Sequence, residues 1–135
     1  MANTLYDAAR QRFLEAQINW MTDTVKVLLV DTGAYTPQTA VHQYLSDISG
    51  SARIAGPVTL TSKTTTGGAA DAADVTFTSV TGPSIEAIVI YIDTGTESTS
   101  PLVAFIDTAT GLPITPNGGD IIVTWDNGIN KIFRL

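Results

Sequence analysis

Apolar positions along this chain fall into two kinds of run. Near the start, Leu5, Ala9, Phe13 and Ala16 recur at helical spacing while Arg10, Gln11, Glu15 and Gln17 lie off that stripe, which predicts a helix over 4–17. Thr4 with Asp7 three residues on resembles a capping box for it, with Asp a weaker partner than Glu. Ile18, Trp20 and Met21 carry the apolar signal past the helix, and Asp23-Thr24 reads as the turn into a first strand.

From there the runs are strand-like, over 24–31, 51–55, 57–62, 74–80, 84–92, 101–107, 120–125 and 130–135. Val75-Thr76-Phe77-Thr78 alternates apolar and polar residues, as a sheet with one face in water requires. Ile85 to Ile92 and Leu102 to Ile106 are apolar at nearly every position, which predicts strands covered on both faces and therefore central. Asp126-Asn127-Gly128, between Trp125 and Ile129, predicts a two-residue hairpin, because Asn and Gly tolerate positive φ. The stretch 33–50 is ambiguous: Thr39 through Leu45 suits a short helix with Val41 and Leu45 on one side, before Ser49-Gly50-Ser51 breaks it. Residues 63–70 and 94–101 are small and polar and read as mobile or partner-ordered loops. One leading helix followed by strands, without alternating βα units, predicts a single mainly β domain over 1–135. The expected form is an antiparallel β-sandwich or small β-barrel over 24–135 with one N-terminal α-helix.

Three of the strand runs stop at the same two residues. They read Val30-Asp31-Thr32-Gly33, Ile92-Asp93-Thr94-Gly95 and Ile106-Asp107-Thr108-Ala109. An Asp that bonds its own following backbone is how a buried strand exits into a turn. Asp-Thr-Gly after apolar residues is also the catalytic phrase of aspartic proteases, whose mechanism needs two carboxylates sharing one proton. The third copy favours strand punctuation, and a two-lobed enzyme of that kind needs far more than 135 residues.

Composition narrows the chemistry further. The chain has no cysteine, which excludes disulfides, thiolate catalysis and Cys-ligated zinc. Only 15% of residues are charged, and 21 threonines supply much of the polar surface. A net charge of -6 leaves no basic patch for nucleic acid. No signal peptide and no membrane-length apolar run is visible, so a soluble, non-secreted chain is expected.

The remaining motifs are weak. His42 is the sole histidine, and no nucleophile elbow surrounds any serine, so no catalytic residues are assigned. Asp71 with Asp74, and Asp93 with Glu97, offer oxygens without the EF-hand pattern; no metal and no cofactor is assigned. Gly67-Gly68, Gly95 and Gly118-Gly119 are turn glycines outside any phosphate-binding context. Tyr6, Tyr35 and Tyr44 look exposed and, with Leu5, Phe13 and Trp20, are the interface candidates, since aromatic residues dominate binding hot spots.

Thr4-Leu5-Tyr6-Asp7 leading to Ile18-Asn19-Trp20, and Tyr44-Leu45-Ser46-Asp47-Ile48 before Ala52-Arg53, are phrases that resemble small virion structural proteins of tailed bacteriophages. So, more strongly, are Ala72-Ala73-Asp74-Val75-Thr76-Phe77, Glu86 to Tyr91, Ser100-Pro101-Leu102, and Thr115-Pro116-Asn117-Gly118-Gly119-Asp120 to Gly128. The resemblance spans about the full length but carries no catalytic signature. It implies a capsid decoration, or cement, protein: a non-enzymatic homo-oligomer, trimer ahead of dimer, made in the host cytoplasm and bound to the major capsid protein on the virion surface. A tail, neck, baseplate or fibre component is the alternative, and a host-surface or carbohydrate-binding module, with Trp20, Trp125 and the tyrosines as stacking platforms, is a third. Under the leading reading, the segment Thr4 to Trp20 and the loops around 64–68 and 94–100 are expected to make the contacts, and deletion of residues 1–18 is expected to leave a soluble fold.

Overall fold

In the computed structural model, which describes residues 3–135, the strands are β1 (Thr4–Leu5), β2 (Val25–Val30), β3 (Arg53–Thr59), β4 (Ala69–Ala70), β5 (Val75–Phe77), β6 (Ala87–Ile92), β7 (Leu102–Ile106), β8 (Ile121–Val123) and β9 (Phe133–Arg134). One α-helix, α1 (Asp7–Leu14), lies between β1 and β2. The main sheet has the order β1-β7-β6-β2-β3 and is antiparallel throughout. β6 lies at its middle, paired along its whole length with β2, from Val25 opposite Ile92 to Val30 opposite Ala87. Every residue of β6 is buried, as are the first four of β7, which is what their unbroken apolar runs predict.

Register assigns the two faces. Val25, Val27, Leu29, Ile88, Ile90 and Ala104 point one way. That face is covered by two short ribbons, β5 with β8 and β4 with β9, whose Val75, Phe77, Val123 and Phe133 join the core. Leu28, Val30, Val89 and Phe105 point the other way, toward Tyr35, Leu45 and Ile48. The result is a small antiparallel sandwich, mainly β with a single N-terminal helix. The barrel form is excluded because the sheets do not close: among the described residues the two ribbons form sheets separate from each other and from the main sheet.

Several local expectations need correction. The helix is Asp7–Leu14 rather than 4–17, because Thr4 and Leu5 are drawn out as a strand against Phe105 and Ala104. Tyr6, not Thr4, is the N-cap, and the Thr4 hydroxyl instead accepts from Arg10. Residues 51–55 and 57–62 do not form two strands; β3 runs through Gly56-Pro57 with a bulge opposite Leu28. Gly56 is required there: its φ is +95°, and a Cβ would lie 2.7 Å from the Val27 carbonyl oxygen. The hairpin at Asp126-Asn127-Gly128 does not form, because β8 pairs with β5 and β9 with β4. Asp126 still closes a local turn, its carboxylate accepting the Gly128 N–H at 3.0 Å. No helix covers 39–45; a turn at Gln38–His42 is followed by a 3-10 turn at Leu45–Asp47, and the Asp47 carboxylate accepts the N–H groups of Gln43 and Tyr44.

Candidate functional site

The repeated Asp-Thr phrase ends three adjacent strands, β2, β6 and β7, but does not gather their carboxylates. Asp31 follows Val30 and Asp93 follows Ile92, which are at opposite ends of the β2–β6 pair. Six residues at roughly 3.3 Å each place the two carboxylates about 20 Å apart, far beyond the reach of a shared proton. The Asp31 carboxylate accepts the Gly33 N–H at 2.8 Å and that of Asp93 accepts the Gly95 N–H at 2.9 Å, so both act as turn caps. At the third copy, the Asp107 and Thr108 N–H groups donate to Asn3 Oδ1, which ties β1 to the end of β7.

The carboxyl group that Asp31 does meet is Glu86, its cross-strand neighbour. Glu86 also accepts from the Thr32 N–H and hydroxyl at 3.0 and 3.1 Å and from the Ser84 hydroxyl at 2.5 Å. Burial raises its pKa, but the Ser84, Thr32 and Asp31 hydrogen bonds prevail and hold it below the ordinary Glu value. Sequence reading missed this cluster because it depends on the Val30–Ala87 register, which neither segment shows on its own.

Two concave regions flank the main sheet. The smaller, about 350 Å³, lies at the β2–β6 end that carries Asp93, and Lys26, Arg53, Tyr91, Asp93, Glu97 and Ser100 contribute to its wall. Lys26 pairs with Asp93 at 2.9 Å, and Arg53 pairs with Glu97. The Arg53 guanidinium also donates to the Leu45 and Ile48 carbonyls, at 2.9 and 2.6 Å, strapping the 3-10 turn onto β3. Lys26 holds the Asp93 carboxyl below its usual range by hydrogen bond and charge, with the Gly95 N–H adding to this against a smaller opposing effect of burial. Burial and then the Asp93 charge push the Tyr91 hydroxyl up to about 12. The charges of this notch are therefore matched within the chain. The oxygens considered for calcium, Asp93 with Glu97, already face cations, and Asp74 Oδ1 accepts the Trp125 N–H at 3.0 Å. Among the described residues no three His, Asp or Glu side chains are grouped to hold a metal ion.

The larger region, about 1180 Å³, is an open groove between the β1–β7 edge and the segment that carries β8 and β9. Leu5, Ile88 and Ile106 line one side, and Ile122, Trp125 and Phe133 line the other. Ile122 is 66% exposed.

Most of the sequence-predicted interface residues lie inside the fold. Tyr6 and Tyr35, expected at the surface, are 0% and 4% exposed, and Leu5 and Trp20 are also buried. Each is held by a specific partner that sequence spacing does not reveal. The Tyr6 N–H donates to Val103 and its ring ends at the Tyr35 hydroxyl; the Trp20 indole N–H donates to the Asp71 carbonyl at 3.2 Å. Trp125 is buried as well and donates to the Ala73 carbonyl at 3.1 Å, so neither tryptophan is a stacking platform. Phe13 is half-buried against Phe133 with ring centroids 5.9 Å apart, and Tyr44 is half-buried beneath the Arg12 guanidinium. The loops read as mobile are tied down within the chain: the hydroxyls of Thr94, Thr99 and Ser100 form a network that donates to the Thr96 carbonyl, and Thr64 bridges to Asp71.

His42 lies beside Tyr35, its Nδ1 3.0 Å from the Tyr35 hydroxyl and 3.3 Å from the Gln38 N–H. A backbone N–H can only donate, so Nδ1 is an acceptor and the Tyr35 hydroxyl donates to it. The Tyr6 hydroxyl in turn donates to Tyr35, giving a directed chain from Tyr6 through Tyr35 to His42. Burial raises the pKa of both tyrosines, so both hydroxyls keep their protons.

No helix among the described residues is long and apolar enough to cross a membrane. Compared with known proteins, the chain matches no family model and no curated sequence.

Proposed function

We propose that this chain is a capsid decoration protein of a tailed bacteriophage, a structural subunit that binds the outer shell and stabilises it. The phage setting rests on the resemblance of its phrases to virion structural proteins. The observation that carries the role is the use made of its carboxylates: Asp31 and Asp93 cap turns, and Lys26 and Arg53 neutralise Asp93 and Glu97, so surface contact is the chemistry best supported. A surface poor in charge, with exposed hydroxyls at Thr64–Thr66 and Thr96–Thr99, suits many weak contacts repeated around a symmetric shell, where avidity replaces a single tight interface. The net charge of -6 suits a basic rim on the major capsid protein.

The test is the copy number of this chain in purified virions, measured by quantitative mass spectrometry against the major capsid protein. Near-stoichiometric abundance supports decoration. A count of a few to a few dozen moves the protein to the neck, tail or baseplate, and absence from the virion overturns the reading.

A further inference from the structure

We propose that the groove between the β1–β7 edge and β8 is a docking site for an extended, acidic and apolar segment of a partner protein, laid alongside β8. Three observations converge on it. First, among the described residues β8 has β5 as its one ladder neighbour, which leaves its other edge open to strand addition. Second, the groove exposes large apolar side chains that the core leaves out, Ile122 and Leu135, each 66% exposed. Third, its charge is opposite to that of the whole. Among its side chains, Arg10, Lys131 and Arg134 stand against the one carboxylate of Asp126, on a chain with seven basic residues and a net charge of -6. Arg10 is already engaged by Asp7 at 2.7 Å, which leaves Lys131 and Arg134 as the cations at the C-terminal side of the groove.

The occupant follows from the same features. An open strand edge selects an extended backbone, the apolar floor selects alternate apolar side chains, and the basic rim selects carboxylates between them. The described strands of a second copy do not supply such a segment, because none of the nine contains Asp or Glu. The partner is therefore a different protein.

The probe is an alternating Glu-Val peptide about ten residues long, enough to span the groove in extended form. It is titrated into the full chain while Ile122 and Ile106 methyl resonances and Trp125 fluorescence are followed. Saturable shifts at those methyls, weakened about tenfold by Arg134→Glu and by salt near ~0.5 M, are the expected result. Ile122→Ser, a change at an exposed side chain, weakens binding without lowering the unfolding midpoint. The proposal is overturned if the groove methyls do not respond, or if a Lys-Val peptide binds equally well. It is also overturned if the same resonances shift with protein concentration alone, which would make a second copy the occupant.

Discussion

The hydroxyl of Tyr6 lies 2.8 Å from that of Tyr35, in the interior of the protein, and Tyr35 alone continues the chain to His42. Removing either oxygen therefore has unequal consequences. Tyr35→Phe strands the Tyr6 hydroxyl without an acceptor in a site that water does not reach, whereas Tyr6→Phe leaves Tyr35 still donating to His42. Tyr35→Phe is expected to cost about 2 kcal/mol in urea unfolding and Tyr6→Phe about 1 kcal/mol, with the double variant close to Tyr6→Phe. Equal single costs that add would show that the chain is not directed as inferred.

Deletion of residues 1–18 is expected to abolish cooperative unfolding rather than to release a folded β domain. The deletion removes β1 from the sheet edge and takes Tyr6, Ala9 and Ile18, which are 0%, 0% and 5% exposed, out of the core. Thermal melts followed by near-ultraviolet circular dichroism test this. A sharp transition in the truncated chain would return the N-terminal segment to the role of a detachable docking arm.

Stability is expected to fall at both extremes of pH. The carboxyls of Asp47, Glu86 and Asp93 lie below their ordinary values of 3.8, 4.5 and 3.8 in the fold. For Asp47, burial acts upward, but the Tyr44 and Gln43 N–H groups and nearby His42 prevail. The unfolded chain therefore binds more protons, and the stabilisation present above pH 4.5 is lost as pH drops through the depressed folded values. On the alkaline side, Tyr6, Tyr35 and Tyr91 are raised above the ordinary value of 10.0. Their contribution is complete below that value and disappears as pH climbs toward 12, where Tyr91 ionises in the fold. Urea midpoints across this range check both arms, and Glu86→Gln flattens the acid arm.

Gly56→Ala is expected to destabilise more than Gly95→Ala, although both positions have φ near +90°. At Gly95 nothing lies within 4 Å of the added methyl, so only backbone strain of about 1 kcal/mol applies. At Gly56 the methyl meets the Val27 carbonyl at 2.7 Å and the Phe77 ring at 3.0 Å. A cost of about 3 kcal/mol or more is expected there, because β3 and β5 cannot both keep their places. Denaturant midpoints of the two variants decide it.

How much of this was legible in the sequence depended on whether a segment's partner was written into the segment itself. β2, β6 and β7 were readable because a strand covered on both faces must be apolar throughout. β9 lies within the strand expected over 130–135, whereas β1 and β4 were not readable, since each has two residues and exists only because a distant strand offers hydrogen bonds to it. Thr4-Leu5 continues a helical stripe in sequence, yet the free edge of β7 claims it. The aromatic residues failed for a related reason: Tyr6 and Tyr35 carry polar tips that read as surface, and each satisfies its tip with the other. At the groove, the sequence showed Ile122 and Arg134 but not that they line one wall.

Asn3 holds the turn at Asp107 and Thr108, and Thr108 is 105 residues further along the chain. Ala69 and Ala70 likewise wait for Arg134 and Phe133. Closing such distant pairs restricts the chain over nearly its full length before the contacts repay that loss, the situation in which folding is slow. On the ribosome, then, most of this protein emerges before its first strand has anything to pair with. The apolar edge of β7, once made, has to be met promptly by residues synthesised long before it, or by another chain in the same predicament.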